Sequence, residues 1–138
     1  MAAELHTEGL QYLLEVAFTE EQSAPANFYV GLCTDAALAE DASLGDQTEV
    51  TGTGYARQTV ASDNVDITSA TAGTADRKVT TAEVTFTAGG TWDGAVTAFL
   101  CTTVDDTGKL LASQQLSETR TLNDGDTLTL AFEITLAG

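Results

Sequence analysis

Between Glu4 and Phe18 the apolar residues fall at Leu10, Leu13, Leu14, Ala17 and Phe18, the i, i+3, i+4, i+7, i+8 spacing that lines one face of an α-helix. Glu8 and Glu15 lie off this stripe. The spacing predicts an amphipathic helix over 4–18 that buries the stripe, with Thr7 as N-cap and Glu4 and Glu8 near the positive end of the helix dipole. Glu20 and Glu21 oppose the dipole at the other end, and Pro25 holds Ala24 in extended geometry, so the helix should stop near Thr19. Beyond Pro25 the period drops to two: over Asn27–Thr34, Phe28, Val30 and Leu32 share one face, while Tyr29 and Cys33 share the other. Residues 35–53 are acidic and carry only scattered large aliphatics, which predicts an acidic surface loop. From Gly54 onward the strand candidates are Tyr55–Ala61, Val65–Thr68, Val79–Thr87, Val96–Val104, Lys109–Leu116 and Thr127–Leu136. The last is the most regular, with Leu128, Leu130, Phe132, Ile134 and Leu136 alternating against polar or small residues. Gly89-Gly90, Asp93-Gly94, Asp106-Thr107-Gly108 and Asn123-Asp124-Gly125 supply tight reversals between the runs. No helical period after residue 55 is long enough for a parallel crossover. The expected fold is mainly β: an antiparallel β-sandwich, jelly-roll-like in connectivity, forming one domain over 1–138 with a single N-terminal helix.

Composition narrows the function. A chain of 138 residues with 43% hydrophobic and 19% charged residues and one proline can form a core without a metal or disulfide. Five Lys and Arg against 21 Asp and Glu give a net charge of −16, which disfavours nucleic acid and anionic membrane surfaces as partners. No apolar run approaches the roughly 20 residues of a membrane span. Residues 1–20 show neither the basic nor the apolar part of a secretory signal.

Candidate chemistry is sparse, and no enzyme activity, cofactor or metal is expected. His6 is the only histidine, so neither a zinc set nor a histidine triad can be assembled, and at a helix start it reads as solvent-exposed. The serines have no nucleophile-elbow setting. Asp105-Asp106 and Asp124-Gly125-Asp126 read as hairpin turns in preference to calcium loops. Cys33 and Cys101 lie in predicted strands that can meet across a sandwich. A disulfide is open to them, and two small buried thiols are the preferred reading. Tyr55, Arg57 and Trp92 are the candidate interface residues; for both aromatics, closing the ends of the core is the preferred reading, and the few cations each suit a carboxylate neighbour.

Several segments carry a resemblance. Phe28-Tyr29-Val30-Gly31-Leu32-Cys33-Thr34, the run Glu49 to Gln58, Val84-Thr85-Phe86-Thr87-Ala88 before Trp92, Phe99-Leu100 before Gly108-Lys109-Leu110-Leu111-Ala112, and Asn123-Asp124-Gly125-Asp126-Thr127-Leu128 occur in an order similar to that of small tailed-phage virion proteins. The helix with Gly9 and Leu13-Leu14 extends the likeness. The resemblance implies a virion structural component made in the bacterial cytoplasm. Within that class, a compact chain without a fibrous shaft suggests a capsid decoration or cement protein on the capsid surface. Its partner would be the major capsid protein, it would self-associate as a dimer or trimer on the lattice, and it would stabilise the mature head against DNA pressure. The alternative is a tail-associated or receptor-binding module, with an aromatic such as Trp92 contacting a host glycan.

Overall fold

The computed structural model describes residues 3–71 and 77–136. Among them are ten strands: β1 (Glu4–Leu5), β2 (Asn27–Cys33), β3 (Gln58–Ala61), β4 (Ile67–Thr71), β5 (Arg77–Thr81), β6 (Val84–Thr87), β7 (Ala95–Cys101), β8 (Leu110–Arg120), β9 (Thr127–Leu130) and β10 (Glu133–Leu136). One α-helix, α1 (Thr7–Leu14), continues into a π-helical turn at Glu15–Thr19. All strand pairings are antiparallel. The sheets have the orders β1-β8-β7-β2-β3, β10-β5-β4 and β6-β9. The sandwich class holds, but this division into five, three and two strands differs from the two four-stranded sheets of a jelly roll.

Alternation along β2 sorts its side chains as expected. Val30 and Leu32 enter the main core with Leu100, Val84, Phe86 and Phe132, and Ile67 of β4 and Ile134 of β10 pack against it, so residues from all three sheets share one interior. Cys33 faces the opposite side, where Phe99, Cys101 and Leu110 meet Leu38, Ala42 and Leu44. The 35–53 segment is therefore more than surface. It stays irregular, but its aliphatics cover the outer face of the five-stranded sheet, whose strands would otherwise expose Phe99 and Leu110.

Two predicted strands are each broken in the middle. The register of β5 with β10 pairs Thr80 with Glu133, and that of β6 with β9 pairs Val84 with Leu130. Three residues (81–83) thus face two (131–132), a bulge that kinks a single long ribbon and sends its halves to different sheets. Thr81 closes the kink: its N–H donates to Phe132 O at 2.9 Å, and its hydroxyl accepts the Phe132 N–H at 2.9 Å. Leu136 completes the predicted apolar face, but its side chain lies outside the described part.

The N-terminus departs most from expectation. Glu4 and Leu5 pair with Ser113 and Ala112 as a short edge strand, and the helix starts at Thr7 with His6 in the extended cap position. The helix buries Gly9 and Tyr12, not the leucine stripe: Leu14 is 53% and Phe18 79% exposed, and Leu10 and Leu13 are also exposed. Gly9 lies so close to β8 that an added Cβ would stand 2.6 Å from both Leu111 Cα and Leu111 O. His6, expected at the surface, is fully buried. Its Nδ1 is 2.8 Å from the Ala39 carbonyl, which can only accept, so Nδ1 carries the proton; in neutral imidazole Nε2 then accepts from the Ser113 hydroxyl at 2.7 Å. Glu8 adds a second tie, accepting the N–H groups of Leu44 (2.9 Å) and Leu110 (2.8 Å).

Candidate interaction surface and its buried support

The three residues singled out from sequence lie in one connected cluster, and it is enclosed. Arg57, just before β3, has a side chain only 3% exposed. Its Nε and Nη2 meet the Glu49 carboxylate in a forked pair, both at 2.9 Å, and Nη2 also donates to Asp106 Oδ1 at 2.5 Å. Nη1 donates to the carbonyls of Thr103 (3.1 Å) and Asp105 (2.5 Å). The guanidinium carbon stands 5.1 Å from the Phe99 ring centroid, so the cation also rests on an aromatic face. Burial acts to lower the Arg57 pKa, but the hydrogen bonds it donates to Glu49 and Asp106 outweigh it and hold the group above its ordinary value. The cluster pins segment 49–57 to the turn after β7.

Tyr55 extends the cluster toward the main core. Its hydroxyl accepts the Leu32 N–H at 2.9 Å and donates to Glu49 Oε1 at 3.0 Å. Its ring stacks on Phe86 at 6.1 Å between centroids and meets Trp92 edge-on at 5.4 Å. Trp92 is 2% exposed and donates its indole N–H to Thr53 O at 2.7 Å, with the ring occupying the space where a side chain on Gly52 would sit. That close approach and a φ of +154° restrict position 52 to glycine. Trp92 thus closes one end of the core, the alternative weighed beside the interface reading, and has almost no surface left to offer a sugar.

Other polar candidates also work internally. Asp105 accepts from the Thr107 N–H (3.0 Å) and hydroxyl (2.5 Å), and these bonds hold its carboxyl below the usual range. Asn123 N–H donates to Asp126 Oδ2 at 2.9 Å, forming the expected turn. Lys78, Lys109 and Arg120 meet Glu133, Glu8 and Glu118 within 4 Å. No group of three or more His, Cys, Asp or Glu among the described residues is placed to hold a metal ion.

The cysteines are buried and free. On the paired strands Cys33 lies opposite Thr97 and Cys101 opposite Tyr29, four residues apart along β2. At the rise of an extended strand this is about 13 Å, well beyond the roughly 7 Å Cα limit for a disulfide. Burial pushes Cys33 up to about 12 and Cys101 up to about 11. Because the fold raises both above the ordinary thiol value of 9.0, their contribution to stability is complete below about pH 9 and is lost as pH rises through 11 to 12. Iodoacetamide near neutral pH is therefore expected to modify neither cysteine in the folded chain and both in guanidinium, as read by intact mass. Unfolding midpoints should fall progressively above about pH 9.

The accessible chemistry lies elsewhere. A cleft of about 560 Å³ opens among Leu5, Leu13, Phe28, Leu100, Leu111 and Ile134, with Arg77 and Lys78 also in its lining. Leu13 joins this cleft to the exposed Leu10, Leu14 and Phe18 on α1 and the following turn. The continuous apolar surface is suited to protein contact. The spacing of the leucine stripe predicts burial, whereas the structure turns Leu10, Leu14 and Phe18 outward. This orientation follows from the smaller stripe His6, Gly9, Tyr12 and Val16, whose glycine permits the close approach to β8.

No curated protein matches the chain. Residues 5–135 match a protein family described as podophage GP4 fiber I protein gp80. The match covers nearly the whole length and includes α1, the Arg57 cluster and the cleft-lining strands, so the chain belongs to this family and is a structural protein of a phage virion.

Proposed function

We propose that the chain is an adhesive, non-enzymatic part of the virion's fibre apparatus. The match over residues 5–135 to a fibre family carries this reading, and it favours the tail-associated alternative over a cement on the capsid lattice. The internal chemistry is in keeping with such a role: the Arg57 cluster and the protonated thiols serve the scaffold, leaving the outer surface to make contacts. The partners are other virion proteins. A charge of −16 works against phosphate backbones and anionic lipid.

The test is location and copy number. Purified virions are disrupted, heads and tails are separated by density, and the chain is quantified by mass spectrometry against the major capsid protein. A small copy number in the tail fraction is expected. Hundreds of copies per particle retained on heads would overturn the fibre assignment and restore the cement reading.

A further inference from the structure

We infer that the three-stranded sheet β10-β5-β4 is a hinged flap, which pivots about the Thr81–Phe132 kink to close the cleft beneath it. Covalent connections place the hinge. The chain enters β4 through residues 62–66, leaves β5 through 82–83 and enters β10 through 131–132. The registers of Ile67 with Thr81 and of Thr80 with Glu133 bring these crossings to one end of the sheet, while Thr71, Arg77 and Leu136 lie together at the other. A few residues at the ends of elements are what a hinge needs. Hydrogen bonds reinforce this end. Besides the two bonds between Thr81 and Phe132, Asp66 accepts the Ala61 N–H on its carboxylate at 3.0 Å and the Ala82 N–H on its carbonyl at 2.5 Å, and the Ala3 N–H donates to Glu133 O at 2.8 Å.

The cleft separates the inner face of this sheet from the five-stranded one, with Ile67, Ser69, Val79 and Ile134 on one wall and Phe28 and Leu100 on the other. Packing loosens away from the kink. Thr81 is 6% exposed, and Ile67 and Ile134 pack against the main core, but Ser69, one alternation farther along β4, is exposed. The gap of about 560 Å³ therefore widens like a wedge from the hinge outward. Its apolar walls fall short of the dense packing of a protein interior, and rotating one toward the other takes apolar area out of water. Both walls belong to this chain, so closure needs no partner. Lys78 does not oppose it, because its ion pair with Glu133 at 3.2 Å lies within the moving sheet and travels with it.

Methyl relaxation dispersion on the full chain tests the flap, since hinge motions fall in the microsecond-to-millisecond range that it detects. Ile67, Val79 and Ile134 on the flap and Leu100 facing them should share one exchange rate, with exchange broadening at least about twofold above that of Leu32 and Val60 in the packed core. Ser69→Phe, which fills the space that closure needs, should flatten these profiles, and Ser69→Ala should leave them unchanged, with circular-dichroism melting showing that both variants fold. The amides paired between β4, β5 and β10 should stay protected from hydrogen exchange, because a rigid swing keeps the ladder intact. Flat wild-type profiles overturn the proposal, as do profiles indifferent to Ser69→Phe. Rates that differ from residue to residue, or a ladder that exchanges as freely as an exposed loop, also overturn it, since they show fraying in place of a hinge. The fibre assignment is judged separately by virion fractionation, so either reading can fail alone.

Discussion

Arg57→Met is expected to destabilise the fold by about 3–5 kcal/mol, the range for breaking a buried ion pair by removing one partner. The cost comes from what stays behind. The Glu49 carboxylate loses its forked donor, and the carbonyls of Thr103 and Asp105 lose theirs in a site the guanidinium had filled to 3% exposure. Asp106 is more than half exposed and rehydrates at little cost. The charge on Glu49 and the two carbonyls therefore dominate the loss. Arg57→Lys should recover less than half of the stability, because one ammonium cannot span a forked carboxylate and two carbonyls at once. Adding Glu49→Gln to Arg57→Met should restore part of the loss by removing the stranded charge, a coupling that a double-mutant cycle in urea measures directly. A cost under about 1 kcal/mol for Arg57→Met would mean that the cluster is solvated, and the anchoring role assigned to segment 49–57 would go with it.

How far the sequence could be read depends on whether each feature leaves a local period. The two faces of β2 were legible because Val30 and Leu32 alternate strictly with Gly31 and Cys33. The kink in the β5–β6 and β9–β10 ribbon was half legible. Leu128 to Ile134 keep one phase straight through it, but Val79 and Thr81 change phase to Val84 and Phe86, and that slip is the extra residue of the bulge. The burial of Leu38, Ala42 and Leu44 had no signal, since an irregular segment covers a sheet without any period. Residue type alone could not separate an interface arginine or tryptophan from a buried one. The distinction for Arg57 and Trp92 rests on Glu49, Asp106 and Thr53, which are brought to them by the fold. The cleft is least legible, because Phe28, Leu100 and Ile134 that line it come from strands far apart in the chain.

The helix face is the most instructive case, and Gly9→Ala should test it with a large effect of unambiguous sign. Intrinsic propensity favours alanine over glycine in a helix by about 1 kcal/mol, so on an exposed face the substitution would stabilise. Here the new methyl would stand 2.6 Å from Leu111 Cα and O and 3.0 Å from Leu110 O, all backbone atoms of a strand held on both sides by β1 and β7. The strand cannot yield, so α1 must lift. Its movement strains the bonds that hold His6 to Ala39 and Ser113, Glu8 to Leu44 and Leu110, and the Tyr12 hydroxyl to Ser23 O at 2.8 Å. Overpacking together with weakened hydrogen bonds should exceed the propensity gain and leave a net loss of about 3 kcal/mol in urea denaturation. The exposed Gln11→Ala, one turn face away, should change stability by no more than about 0.5 kcal/mol. A stabilised Gly9→Ala would show that this face of α1 does not press on β8, and the stripe of Leu10, Leu14 and Phe18 would then be free to turn inward as its spacing alone suggests.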